Sequence, residues 1–523
     1  MIKLAEIFQN KMTLQRGKKI CLWGESDTEE NVTVVWNDSI ICETVVPSGK
    51  FRLELPPMEA AEDGVLTVTT KKQQLAFEQV DIGEVWIAGG QSNMEFLLKY
   101  DRESDAMISE ASDEHFRFFD VGEYAFEGER ALGTKDGSHW DRWVTYNPKD
   151  APYFSAVGTY FALKLRKSLG VPVAVVGCNW GGTSASAWVK KCVLRADPKL
   201  SIYTDRFDRA TQGIDLKKYK EKMEKSNAYA QNPKVMEEVD KRMKNEIVKS
   251  PGLLTRIVGK LIVATYKMGP YSENRPGGLY ETMLLKIAGY AAAGFLWYQG
   301  ESDYKDADIY DRLLQEVIRG FRREWGDAEA DMAFLLVQLT SYEGWKECSG
   351  ENYHVIRQMQ QRVADQEKNV HLVSIMDVGS RYDIHPKEKR PVGERLALLA
   401  ERYTYGMQVH CEAPRIVKAE REDGVIRVTF EHVYGELAAK GDISDAFCLE
   451  AEEKRAKKGG KPSGKIHVTA KTEGSCVILT SDVLDQVKGE LWLSFAYRPY
   501  CPMKLFSKAG LAARPQEPIH VMI

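Results

Sequence analysis

The chain has 523 residues, which at about 150 residues per domain predicts roughly three domains. Hydrophobic residues make up 43% of it and charged residues 28%, ample material for packed cores, so one small module and wholesale disorder are both excluded. Lys and Arg number 72 against 76 Asp and Glu, a net charge of -4, which leaves no global basic surface for a phosphate backbone; nucleic acid is not expected as a partner.

The opening residues MIKLAEIFQNKMTLQRGKK hold no apolar core of signal-peptide length, and the longest apolar run, Tyr290 to Tyr298, is too short to span a bilayer. A cytoplasmic protein without membrane contact is expected, its oligomeric state unknown. Nine cysteines (Cys21, Cys42, Cys178, Cys192, Cys348, Cys411, Cys448, Cys476, Cys501) are scattered with no CxxC pair, so buried free thiols are expected rather than disulfides or zinc.

In chain order, VTVVW at 32–36 and LTVTT at 66–70, separated by turn clusters such as SGK at 48–50, predict a small antiparallel β domain over residues 1–80. From 81 to 407 the apolar segments EVWIAG, VAVVG, GFLWY, AFLLVQ and HLVSIM alternate with helical stretches, the pattern of a parallel sheet wrapped by helices. Within it, Tyr310, Leu313, Leu314, Val317, Ile318, Phe321 and Trp325 recur at helical spacing and should pack on that sheet. A helical insertion is expected over about 194–270. In its Lys- and Glu-rich part, Leu216 to Lys249, Val235, Met236, Val239, Met243 and Ile247 form the apolar stripe and the charges a solvated face. Residues 408–523 read as β-rich again, with IRVTF after the turn EREDG, then CVILT and LWLSFAY; the basic run at 454–465 reads as an exposed loop.

Four segments carry chemistry. A serine hydroxyl needs a base to take its proton, an acid to orient that base and donors for the oxyanion. EVWIAGGQSNMEF puts Ser92 after a strand and two glycines at the expected start of a helix, at the carboxyl edge of the sheet where α/β sites form; the alternative is that Ser92 only caps that helix. VAVVGCNWGGTSASAW runs into Gly181 and Gly182, whose amides suit an oxyanion or merely a turn. GFLWYQGESD ends on Gln299, a possible oxyanion donor, and Glu301, a possible orienting acid, unless both only satisfy loop amides. DVGSRYDIHPKEK sets Asp383 two residues before His385, a group that titrates near neutrality and suits a general base; Asp383 either orients that ring or binds loop amides.

Taken together these segments resemble the SGNH hydrolases, and within them the sialate O-acetylesterase-like carbohydrate esterases. GQSNM at 90–94, NWGGT at 179–183, NRPGGLYETML at 274–284, WYQGESD at 297–303 and DIHPKEKRPVGERLA at 383–397 are similar to that family's blocks in order. KMTLQRGKKICLWG at 11–24 and LFSKAGLAARP at 505–515 resemble its flanking β regions. The resemblance implies a three-layer α/β/α, flavodoxin-like SGNH domain between antiparallel β domains, removing acetyl groups from sugar hydroxyls without metal or organic cofactor. Ser92 would then be the nucleophile and His385 the proton carrier, with the Ser92 amide, an amide at Gly181 or Gly182, and the Gln299 side chain holding the oxyanion.

Gln91 stands where the wider superfamily usually has Asp, the third block reads QGE in place of an Asn-containing GxND, and the DxxH spacing shrinks to Asp383 and His385. Asp383 is the favoured triad acid, Glu301 the alternative, and a dyad the third. Gln91 and Asn93 are placed with substrate. Trp180, Trp188, Trp297 and Tyr298 stack on a sugar or fill the core, and Arg275 and Arg357 pair with a sialate carboxylate or form structural bridges. The resemblance implies O-acetylated sialic acid or an acetylated xylan or mannan fragment as the substrate. Competing readings are another serine hydrolase chemistry, an inactive carbohydrate-binding protein and, more weakly, a metal-dependent phosphoesterase, for which no His and Asp cluster has ligand spacing.

Overall fold

The computed structural model describes residues 1–126, 141–230, 232–247, 268–345, 348–451, 465–487 and 489–522, with only the backbone described at 226–230, 345 and 348. The fold is mixed α/β with several sheets. Its axis is the strand Gln74–Gly90, whose first half pairs antiparallel with Ala61–Thr69 and whose second half is the centre of a mainly parallel sheet. Every residue from Val80 to Gly90 is buried, as a strand covered on both faces requires. Its two buried charges are paired: Arg117 lies 3.0 Å from Asp81, and Glu84 accepts from Arg16 Nε at 2.5 Å and from Gln15 at 2.9 Å. Asp63, Asp81 and His115 bring ligand atoms within 4.8 Å of one another, and the Arg117 guanidinium supplies their countercharge.

The parallel sheet runs, edge to edge, Trp143–Tyr146, Asp113–Asp120, Val173–Asn179, Gln74–Gly90, Gly294–Tyr298, Ala333–Val337 and Val370–Val373, with only the first strand antiparallel to its neighbour. On one face the helix Ala156–Leu169 sets Phe161 against Trp86, ring centroids 5.1 Å apart. The helix Arg390–Tyr403 lies so close beside it that a Cβ on Gly393 would sit 2.6 Å from the Val157 carbonyl. On the other face the helix Tyr310–Trp325 buries the stripe read from its spacing, with Phe321 5.7 Å from Trp297 and 5.8 Å from Phe334.

One expected boundary changes. A cut at residue 80 falls inside one continuous strand, because Thr13–Gln15 pairs in parallel with Asp81–Gly83 and ties the N-terminal strands to the central sheet. One apolar core accordingly runs from Ile2 to Cys411. The C-terminal part has a core of its own between two four-stranded antiparallel sheets. The basic run at 454–465 lies, but for its last residue, outside the described residues, as does the insertion from 248 to 267.

The insertion contributes the helices Lys191–Ala196, Ser201–Thr211, Leu216–Ala230 and Pro233–Lys244. Its charges are not only a solvated face. Tyr100 donates its hydroxyl to Asp240, Lys99 lies 3.4 Å from the same carboxylate, and the Ile247 amide donates to Asp383 at 3.3 Å. Thiols are also less buried than expected: of the eight described cysteine side chains, all free, Cys178, Cys411 and Cys501 are buried and Cys192 is exposed. Among the described residues no helix is long and apolar enough to cross a membrane.

Candidate active site

At the carboxyl end of the central strand the chain must turn against its neighbour. A Cβ on Gly90, whose φ is +138°, would lie 2.2 Å from the Tyr298 carbonyl oxygen, so only glycine fits there. Gln91 then starts a short helix, Ser92–Glu95, with extended backbone. Because Gln91 is the cap residue, Ser92 does not cap the helix and its hydroxyl is free for other work. The turn is held from below by Ser155, which donates to the Met94 carbonyl at 2.6 Å.

The strand Val370–Val373 leads into the loop carrying His385, whose Nε2 lies 2.9 Å from Ser92 Oγ. With the ring proton on Nδ1, Ser92 donates its hydroxyl hydrogen to Nε2, the geometry of a nucleophile and its base. Loss of hydration, followed by the charges of Lys387, Lys389 and Arg242, holds the imidazole well below its ordinary pKa of 6.5. The ring is therefore neutral, and basic in role, at neutral pH.

Neither candidate acid reaches that ring. Asp383 accepts the His385 backbone amide at 3.0 Å and lies 3.2 Å from Lys387 Nζ, so it shapes the loop. Glu301 is buried and accepts from Asn93 Nδ2, while its Oε2 has no partner among the described residues; burial raises its pKa. Among the described residues no carboxylate hydrogen-bonds the His385 ring. Ser92 and His385 stand as a pair, which corrects the expectation of a triad acid at Asp383 or Glu301.

The family profile described as "Carbohydrate esterase, sialic acid-specific acetylesterase" matches residues 252–401, which contain Glu301, Asp383 and His385. Sialate O-acetylesterase of Mus musculus is 25% identical over 82% of this chain and 79% of its own, and that of Homo sapiens 22% identical over 82% and 76%. A crystal structure of a carbohydrate acetylesterase from Xanthomonas citri shares the fold over 98% of this chain and 99% of that one, with TM-score 0.72 and 23% identity. The chain is a sialate O-acetylesterase-like carbohydrate esterase.

As a carboxylic ester hydrolase, this esterase needs donors for an oxyanion. The Ser92 and Gly181 amides donate to no acceptor among the described residues, and a Cβ on Gly181 would lie 3.2 Å from Ser92 Cβ, which brings that backbone against the nucleophile. Gly182, with φ +75°, is exposed, faces open space, and accepts from Asn274 through its carbonyl. Gln299 is corrected: its Nε2 donates to the Thr183 carbonyl at 3.2 Å and to Asp303 at 2.6 Å, and its Oε1 accepts from Tyr310, so no donor remains for an oxyanion. Asp303, which no reading of the motif singled out, also accepts from Ser184 Oγ at 2.6 Å and the Ala185 amide at 2.9 Å, fastening the glycine block to the third block.

The residues assigned to substrate in the sequence are mostly structural in this carbohydrate esterase. Gln91 accepts the Ser302 amide at 3.3 Å. Asn93 is enclosed by Glu301, Ile384 and Lys389. Trp297 is a core ring at right angles to Trp188, and Tyr298 is fully buried; Trp180 is 8% exposed. Arg275 pairs with Glu281 at 2.9 Å and donates to the Ala125 carbonyl. Arg357 is fully buried and donates to the carbonyls of Thr340 and Arg498, joining its helix to the C-terminal part, so it meets no ligand. The Lys389 side chain, unremarked in the sequence, lies within 2.6 Å of Asn93 Oδ1.

Proposed function

We propose that this protein hydrolyses acetyl esters on sugar hydroxyls through a serine–histidine pair carried by a three-layer α/β/α SGNH-type domain with flanking β domains. The observation that carries the reading is the 2.9 Å contact between Ser92 Oγ and His385 Nε2, at the carboxyl end of a central parallel strand, with the imidazole held neutral.

His385 takes the Ser92 proton as Oγ attacks the acetyl carbonyl, and the carbonyl oxygen becomes an oxyanion facing the Ser92 and Gly181 amides. Collapse of that intermediate expels the sugar oxygen, which receives the proton from His385, and leaves an acetyl ester on Ser92. Water then repeats the sequence, losing its proton to His385, and acetate leaves with Ser92 regenerated. Each oxyanion donor is worth on the order of a hundredfold in rate or more. The sialate O-acetylesterase relatives support acetylated sialic acid as a substrate, while an acetylated oligosaccharide satisfies the same chemistry.

Labelling with a fluorophosphonate, followed by peptide mass analysis, tests the nucleophile. Modification at Ser92 that is absent from Ser92→Ala supports the reading. An unlabelled, folded wild-type chain would favour a carbohydrate-binding protein without catalysis.

A further inference from the structure

The Lys389 side chain is fully buried, a costly place for an ammonium group. Its Nζ donates to Asn93 Oδ1 at 2.6 Å and sits 4.7 Å from the Phe96 ring centroid and 5.3 Å from that of Tyr298. Its backbone amide is fixed too, donating to Asp101 at 2.8 Å, and Asp101 accepts from the Tyr160 hydroxyl at 2.6 Å.

Asn93 is the meeting point of three elements. Its Nδ2 donates to Glu301, the first residue of the 3-10 helix Glu301–Ile309 after the strand Gly294–Tyr298, and to the Ile384 carbonyl at 3.0 Å, next to His385; its own backbone follows Ser92. A carboxamide can turn over and exchange its oxygen for its nitrogen. The Ile384 carbonyl can only accept and a lysine ammonium can only donate, so these two partners together allow one orientation, in which Glu301 accepts as well. We propose that Lys389 is a positioning residue for the ester hydrolysis, holding Asn93 so that its amide ties the His385 loop and Glu301 to the Ser92 helix. This rests on the serine–histidine reading above.

Burial, then Lys387, pushes Lys389 down to about 7, while Glu301, Asp101 and Asp383 act in the opposite direction. A methionine of similar length would fill the same space without a charge to bury, but it could not select the Asn93 oxygen.

The test compares wild type, Ser92→Ala, Lys389→Met, Asn93→Leu and the Lys389→Met/Asn93→Leu double variant on 4-nitrophenyl acetate. Melting curves establish folding, and kcat and KM are measured separately. Lys389→Met and Asn93→Leu are each expected to lower kcat at least tenfold with KM within about twofold, and the double variant should be no slower than the slower single one, because Lys389 acts through Asn93. A folded Lys389→Met that loses less than tenfold in kcat, or a double variant whose loss is the product of the two single losses, overturns the proposal. If Lys389→Met does not fold, the double variant is compared with Asn93→Leu, and a further tenfold fall overturns it. If only the double variant folds, having exchanged both buried polar partners for apolar groups, the same tenfold loss at unchanged KM is required of it. Activity surviving in Ser92→Ala would instead defeat the serine reading, whatever Lys389→Met does.

Discussion

Ser92 Oγ and His385 Nε2 lie 2.9 Å apart although 293 residues separate them in the chain. The base in this pair is the neutral imidazole, and its pKa is depressed. Activity should therefore persist as pH falls through 6.5 and be lost only lower, as the ring finally takes a proton. Lys389, pushed down to about 7, is protonated across that acid range and does not blur the limb. The pH dependence of kcat/KM measures this; an acid limb at or above 6.5 would contradict the depressed pKa.

Asp383 holds the loop, not the ring. Asp383→Asn keeps an oxygen for the His385 amide but leaves the buried Lys387 without its counterion, so it should cost roughly 3 kcal/mol of stability, read by denaturant unfolding. Its kcat, measured where the protein is folded, should fall about tenfold or less. Glu301→Gln preserves an acceptor for Asn93 and should behave likewise. A loss near 10⁴, typical when a true triad acid is removed, would restore that carboxylate to the machinery.

Gly181 and Gly182 should respond differently to alanine. At Gly181 the new Cβ would lie 2.9 Å from Glu95 Oε2 and 3.2 Å from Ser92 Cβ, displacing the nucleophile, and kcat should drop on the order of tenfold or more. At Gly182 the Cβ meets nothing within 4 Å, but φ is +75°, so about 1 kcal/mol of backbone strain is expected with kcat nearly unchanged. Equal losses of kcat at both positions would refute the placement of the oxyanion beside Gly181.

His371 stacks on Tyr403 with ring centroids 3.5 Å apart, and burial depresses its pKa to about 4. The unfolded chain binds its proton near 6.5 and the folded one only near 4. Stability should therefore fall as pH drops between those values, by at most about 3 kcal/mol from this group. Urea unfolding of wild type and His371→Gln across that range should show a shallower slope in the variant; parallel slopes would contradict the assignment.

The catalytic pair was legible because both residues follow an apolar strand, and strand-Gly-Gly-Gln-Ser is a local pattern that a tight turn into a helix requires. The helix Tyr310–Trp325 was legible from its single apolar face. Other features depend on partners remote in sequence. Gln299 looked like an oxyanion donor, but Thr183, Asp303 and Tyr310 take its whole amide group. Arg357 looked available to a carboxylate, yet its guanidinium donates to the Arg498 carbonyl 141 residues away. The strands Asp113–Asp120 and Trp143–Tyr146 went unread, since DEHFRFFD carries charges at its start and gains its strand character from pairing beside Val173–Asn179. Lys389 sits in the charged stretch HPKEKR, where nothing local separates a buried lysine from a solvated one.

The most direct test of the central claim is acetate release by the wild-type protein and Ser92→Ala from O-acetylated sialic acid and from acetylated xylo- and manno-oligosaccharides. The account predicts release from at least one of these sugars by the wild type and its loss, by a factor of 10³ or more, in the folded variant. Equal release by both proteins, or none by either, would contradict it.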